Sequence, residues 1–336
     1  MQDALFDDPD MPPPPVATAG AVRKRAGAPK VLPAPIDPAQ QTLAAALPPQ
    51  VRFGTSSWYF PGWAGLVWGD AYEQPVLSKH GLAAYAQHPL LRSVSLDRTF
   101  YRPLSASQFA AYAAQVPADF RFVVKAPSLV ADAMVRAEDG RGEQPNPAFQ
   151  PALDGLGDKL GALVFQLSPL PGPMLARMPE ILQRLRAMLA ALPALRPAAP
   201  DGVIAVEVRN PEFLTPAFVE VLREAGATYC LGLHPKLPPI AEQLPLLRAL
   251  WPGPLVCRWN LNRLHGRYGY EQAKALYEPF DQLVDPDPET REALARVIAG
   301  TTGAGHNAYI TINNKAEGSA PLSVLALAHA VERLGT

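Results

Sequence analysis

The run Val206-Glu207-Val208-Arg209 sets a carboxylate and a guanidinium two residues apart in an otherwise apolar stretch. Alternate residues of a strand point to the same side of a sheet, so the two charges share one face. Lys125 closes a second apolar run, "FRFVVK", and Arg258 sits in a third, "PLVCRWN". Lys125, Arg209 and Arg258 set against Glu207 and Asp97 make a cation-rich group. Arginine's planar fork matches phosphate or carboxylate, and lysine adds a point charge. In this reading Glu207 is a general acid or base. Lys125 is an electrostatic stabiliser, or a Schiff-base nucleophile if burial and cationic neighbours lower its pKa. Arg209 and Arg258 clamp the anion. The alternative for Glu207 and Arg209 is a purely structural ion pair.

Eight strand-like runs carry these residues: 51–57, 93–97, 120–126, 161–167, 203–209, 227–233, 254–260 and 307–314. A helix or a long connection follows each. Ser105 reads as a helix cap, and Thr215-Pro216 as a cap and first helical position. The alternation predicts a single (β/α)8 TIM-type barrel over residues 50–336. The competing fold, an open doubly wound sheet, would show a Gly-rich turn after its first strand. "FGTSSWYFPGW" contains no such turn, and no P-loop is present.

In a barrel of this kind the C-terminal strand ends form the active face. The polar residues gather there: Thr55 and Ser56, Asp97 with Thr99 just beyond, Lys125, Gln166, Glu207 and Arg209, His234, Arg258 and Asn260, then Asn313, Asn314 and Lys315. Buried polar groups are costly when unpaired, so eight polar strand ends argue for a pocket. Trp58, Tyr59, Trp63, Phe100, Tyr101 and Trp259 accompany them as a ligand platform or a roof.

Residues 1–49 differ in kind. "MPPPPVA", "VRKRAGAPK" and "VLPAPIDP" have no apolar period and read as a disordered, polyproline-type tail. A solvated tail is the simplest reading; a docking peptide for a protein partner is the sharper one.

The motifs "FGTSSWYFPGW", "LDRTFYRPLSASQFAAYAAQVPADFRFVVKAP", "LGALVFQL", "VEVRNPEFL" and "NNKAEGSAP" resemble, in that order, the DUF72 (YecE-like) family across about residues 51–330. The resemblance implies a TIM-type barrel and leaves the reaction open among hydrolase, lyase and isomerase chemistry. It implies pocket roles for Thr55, Ser56, Thr99, Tyr101, Lys125, Gln166, Glu207, Arg209 and Asn313. The chain departs from the family pattern at Ser95, where Glu is usual, at Asp97 for Asn, at Asn210 for His, and at Lys315 for Asp. Of the two candidates for the family's Arg-x-His-Gly, Arg258 fits the strand and His265 lies in the following loop.

Composition bounds the function. Lys+Arg 30 against Asp+Glu 31 gives a net charge of −1, so no global field draws nucleic acid or acidic membranes. No apolar run is long enough for a membrane span. The acidic start "MQDALFDDPD" lacks the basic and apolar segments of a secretory leader, which leaves the cytoplasm as the expected location. Cys230 and Cys257 read as buried, inert thiols on adjacent strands with no disulfide between them. No cofactor is favoured. A divalent cation on Glu207, Asp97 and His234 is the rival mechanism, disfavoured by the neighbouring cations. The expected partner is a small anionic ligand. A non-catalytic ligand- or nucleic-acid-binding barrel descended from an enzyme is the alternative.

Overall fold

The computed structural model describes residues 30–128, 130 and 149–335. Eight parallel strands close into a barrel in sequence order, with β8 returning to β1. They are β1 Val51–Thr55, β2 Ser93–Leu96, β3 Arg121–Lys125, β4 Leu160–Gln166, β5 Val203–Glu207, β6 Thr228–Leu233, β7 Leu255–Trp259 and β8 Ala308–Ile312. Each coincides with an expected run, because strands covered on both faces read as continuous apolar segments.

The connecting helices follow local signals. Ser105 accepts from Gln108 N and the Gln108 side chain returns to Ser105 N, a full capping box on helix Ala106–Ala113. Thr215 caps helix Pro216–Glu224. The connection after β1 carries two short helices, Gln74–His80 and Leu82–Tyr85. Helix Ile240–Ala249 was hidden in the sequence by its Pro-rich entry and internal Pro245.

Side chains on alternate strand positions fill the barrel in layers. At the base, Arg121 pairs with Asp201 at 2.7 Å and the Tyr309 hydroxyl donates to the Asp201 carbonyl at 2.9 Å. Above lies a small apolar layer of Val123, Ala162, Val164, Ala205, Cys230 and Val256. The larger core lies between strands and helices, and Cys257 belongs to it. The two thiols are free. Their register, Cys230 opposite Val256 and Leu231 opposite Cys257, puts them on opposite faces of the sheet. Charged side chains occupy the top of the barrel. Among the described residues, no helix is long and apolar enough to cross a membrane.

The structure corrects the boundary at residue 49. Asp37 caps helix Pro38–Ala46 by accepting the Ala39 N–H, and Leu43 is only 2% exposed. The helix packs on the C-terminal helix Ala320–Gly335. Ahead of it, Leu32 N donates to the Tyr72 hydroxyl, Pro33 bridges to Trp68, and Ala34 N donates to the Val67 carbonyl. Proline density concealed an Asp-Pro helix start, where proline costs nothing because the first N–H has no helical partner anyway. The polyproline run and the basic cluster lie outside the described residues.

Leu43→Ala should lower unfolding free energy by about 2–5 kcal/mol. Deleting residues 1–49 should lower the urea midpoint further.

Candidate functional site

Glu207 ends β5 and is 0% exposed. Its two oxygens meet two guanidiniums: Oε1 lies 2.8 Å from Arg209 Nη2, and Oε2 lies 2.6 Å from Arg258 Nη1. Asn260 Nδ2 adds a 3.4 Å contact to Oε1. Arg258 continues the chain of charge, its Nη2 meeting Asp97 Oδ2 at 2.5 Å. Ser95 then donates to Asp97 Oδ1 at 2.6 Å. Gln166 Oε1 accepts from Arg209 Nη2 at 3.0 Å. The layer therefore runs across the barrel from β2 through β7 to β5 and β4.

This arrangement decides the protonation states. Burial alone would raise the Glu207 pKa, but Arg209, Arg258 and Lys125 overcome it and hold the carboxyl at about 2. Burial likewise opposes the charged form of Arg258, yet Asp97 and Glu207 raise its pKa above the ordinary value. Lys125 is the opposite case. Burial, reinforced by Arg258, lowers its pKa to about 7 against the pull of Asp97 and Glu207. Its Nζ lies 3.7 Å from the centre of the Phe100 ring, and among the described residues no hydrogen bond or ion pair is formed by it.

Beside the ion layer, a cleft opens on the C-terminal face. Ser56, Ser57, Ser95, Asp97, Tyr101, Asn313 and Lys315 line it, with Trp58, Tyr59 and Tyr270 as aromatic walls. Tyr101 is 44% exposed. Asn313 Nδ2 donates to the Tyr270 hydroxyl at 3.3 Å, and Lys315 Nζ lies 4.2 Å from the Tyr270 ring centre. Asn262 fixes this corner by donating to the Ala316 and Asp285 carbonyls while its own N–H donates to the Lys315 carbonyl. Tyr270 carried no sequence signal, because it starts a helix well past β7. Ser57, whose buried Oγ has no partner, adjoins Ser56 and was passed over. Asn260 was recognised as a strand end but not as a Glu207 contact.

Three expected ligand-binding residues serve the framework instead. Thr55 Oγ1 is bound to the Ser57 carbonyl at 2.6 Å and the Tyr85 hydroxyl at 2.8 Å, behind β1. Thr99 Oγ1 meets the Leu96 and Lys125 carbonyls, both at 2.5 Å, pinning the end of β3 to β2. Asn314 Oδ1 accepts from Trp63 Nε1 at 3.2 Å and from Ala320 N at 2.8 Å. Their side-chain oxygens are spent on neighbouring backbone and rings.

The residues do not assemble the divalent-cation site weighed above. Arg258 stands between Glu207 and Asp97, and it fills the space a cation would take. His234 turns its Nδ1 to the Lys236 backbone N–H at 3.0 Å. Among the described residues no group of three or more His, Cys, Asp or Glu side chains is placed to hold a metal.

A family model described as "Protein of unknown function DUF72" matches residues 52–335. The chain belongs to the DUF72 family. Its fold is similar to the crystal structure of a DUF72 family protein from Thermotoga maritima, with a TM-score of 0.53 at 20% identity over 84% of this chain and 99% of that one. A DUF72 family protein from Enterococcus faecalis gives 0.53 at 17% identity over 84% and 95%. At such identities the likeness shows the barrel and nothing finer. No curated protein matches the chain.

The departures from the DUF72 pattern now have positions. Ser95 and Asp97 are two residues apart and hydrogen-bonded, so Asp97 supplies the β2 carboxylate that Ser95 lacks. Asn210 takes no part in the ion layer; it clasps Leu170, accepting from its N–H at 2.7 Å and donating to its carbonyl. Lys315 lines the cleft. Arg258, in the strand, is the guanidinium of the layer, whereas His265 bonds the Tyr277 hydroxyl at 2.6 Å in the loop beyond.

Arg258→Ala leaves two carboxylates without their shared cation and should cost about 3–5 kcal/mol in urea unfolding. The penalty should shrink in a Glu207→Gln background. The pH dependence has a fixed sign. Glu207 drops from an ordinary 4.5 to about 2 on folding, so its ionisation stabilises the native state above pH 4.5, and that gain is lost as pH falls toward 2. Lys125 drops from 10.5 to about 7, so its protonation weighs against folding below pH 7 and is relieved as pH rises toward 10.5. Lys125→Met should therefore stabilise the protein most at pH 6 and least at pH 10, as read by thermal melts.

Proposed function

We propose that the chain is an enzyme acting on a small anionic ligand, phosphorylated or carboxylated, at the C-terminal face of the barrel. The observation that carries this reading is Lys125: a buried amine with a pKa of about 7, coupled to Asp97, which lines the cleft, and with no hydrogen-bonded partner among the described residues. Proton transfer is most effective when the catalytic pKa lies near the working pH. Glu207, first considered as the acid or base, fits that role poorly. At a pKa of about 2 and sealed between guanidiniums, it is a weak base and no acid at neutral pH. It fits better as the anchor that orients Arg209 and Arg258 around Lys125. Asp97, Lys315, Asn313 and Tyr101 line the cleft and would contact the ligand. The two free thiols suit the reducing cytoplasm as the place of action.

One observation favours a second reading, a binding barrel without turnover. The cleft encloses only about 30 Å³, roughly the share of a single water molecule in the liquid. A metabolite must open it before reaching Lys125.

A thermal-shift screen of phosphorylated and carboxylated metabolites tests the two together. Hits should raise the Tm of the wild type. Lys125→Met should keep the shift while lowering turnover of a hit by about 10²–10⁴-fold. A wild type that no anionic ligand stabilises would sink the proposal. Binding without turnover under any condition would select the second reading.

A further inference from the structure

The ion layer leaves two guanidinium donors, Arg258 Nε and Arg209 Nη1, without a partner among the described residues. Arg209 Nη2 is shared by Glu207 and Gln166, while Nη1 is buried and unmatched. The side chain as a whole is only 10% exposed. An orphaned buried N–H is rare, and one on a cation points to a water or an ion. Two more donors stand at the adjoining strand end. Arg209, beyond β5, turns to Glu207, and His234 directly follows β6, the strand paired with β5. His234 Nδ1 accepts the Lys236 N–H, which leaves the ring proton on Nε2. Burial first, then Arg209 and Lys236, lowers the His234 pKa to about 3, so the ring stays a neutral donor. Lys236 brings an ammonium to this rim, close enough for Arg209 to lower its pKa, though burial does so more. Its Nζ lies 5.2 Å from the centre of the exposed Tyr268 ring. The carboxylate here, Glu207, is already committed to two guanidiniums.

We propose that this rim is an oxyanion subsite for a phosphate-type group, with Arg209 Nη1, His234 Nε2 and the Lys236 ammonium as its donors. The assignment rests on the anionic-ligand reading above and narrows it. Donors from three side chains suit a tetrahedral oxyanion, whereas a planar carboxylate offers two oxygens and is well served by one arginine fork. The subsite lies at the ends of β5 and β6, apart from Lys315 and the cleft beside β8.

Sulfate is the probe, because its charge does not change near neutral pH. In calorimetric titrations at low ionic strength, the wild type should bind sulfate, and Lys236→Ala should weaken it about tenfold, the loss of one charge-assisted contact. His234→Phe should weaken it as well, and Arg92→Ala, which removes a cation paired with Asp119 at the opposite end of the barrel, should leave it unchanged. Acetate should bind more weakly than sulfate. Equal sulfate affinity in the wild type and Lys236→Ala, or acetate binding as tightly as sulfate, overturns the subsite. So does a wild type that binds no sulfate. Failure here would leave metabolite-induced Tm shifts intact and indifferent to Lys236, whereas failure of the broader reading would remove those shifts altogether.

Discussion

A carboxylate sealed from water must be neutralised where it sits, and the upper half of this barrel is organised around that demand. Glu207 cannot be hydrated, so Arg209 and Arg258 close on its two oxygens. Arg258 then needs more negative charge than one carboxylate supplies, and Asp97 provides it from across the barrel. Asp97 in turn is steadied by Ser95. Each link creates the requirement that the next one meets. Such layers are weak sources of net stability, because desolvation offsets the attraction. Their value lies in fixing positions. A chain of hydrogen-bonded charges admits few alternative geometries, so the strand ends that bear it are held in one register.

The same layer sets the chemistry left to its neighbours. Two guanidiniums and one lysine share two carboxylates, and the lysine is the member without a hydrogen-bonded acceptor. It meets the face of Phe100 instead. An ammonium over an aromatic ring is attracted to it but far less well solvated than in water. Excess positive charge therefore collects at the mouth of a chain whose net charge is −1, a local field that the overall composition does not reveal.

The architecture was legible because buried parallel strands write themselves as apolar runs, and all eight did so. The pairing of Glu207 with Arg209 followed from strand alternation alone. What alternation could not supply was the difference between a polar residue facing the cleft and one facing its own backbone. Thr55, Thr99 and Asn314 sit at strand ends like Ser56 and Asn313, yet their oxygens are consumed by Tyr85, the Lys125 carbonyl and Trp63. Those partners come from distant parts of the chain. Asp97 shows the converse. Position by position, Ser95 and Asp97 both look like departures from the DUF72 pattern. Side by side in space they put one carboxylate, hydrogen-bonded to Ser95, at this corner of the barrel. The N-terminal boundary failed for a different reason: proline content was read as disorder, when one of those prolines followed a helix cap.

The helix Pro38–Ala46, near the start of the chain, rests on the helix Ala320–Gly335 at its end, and β1 pairs with β8 beneath them. The barrel thus has a seam whose two sides are about 260 residues apart in sequence. During synthesis β1 has one edge with no partner until β8 emerges, after the seven other strands. An unpaired, apolar strand edge is prone to aggregation. The early helix can cover part of the apolar surface around that edge only after its own partner helix is complete. The nascent chain therefore carries an open flank until all eight strands are made, and its yield in a cell should depend on chaperone capacity more than its finished, edgeless form suggests.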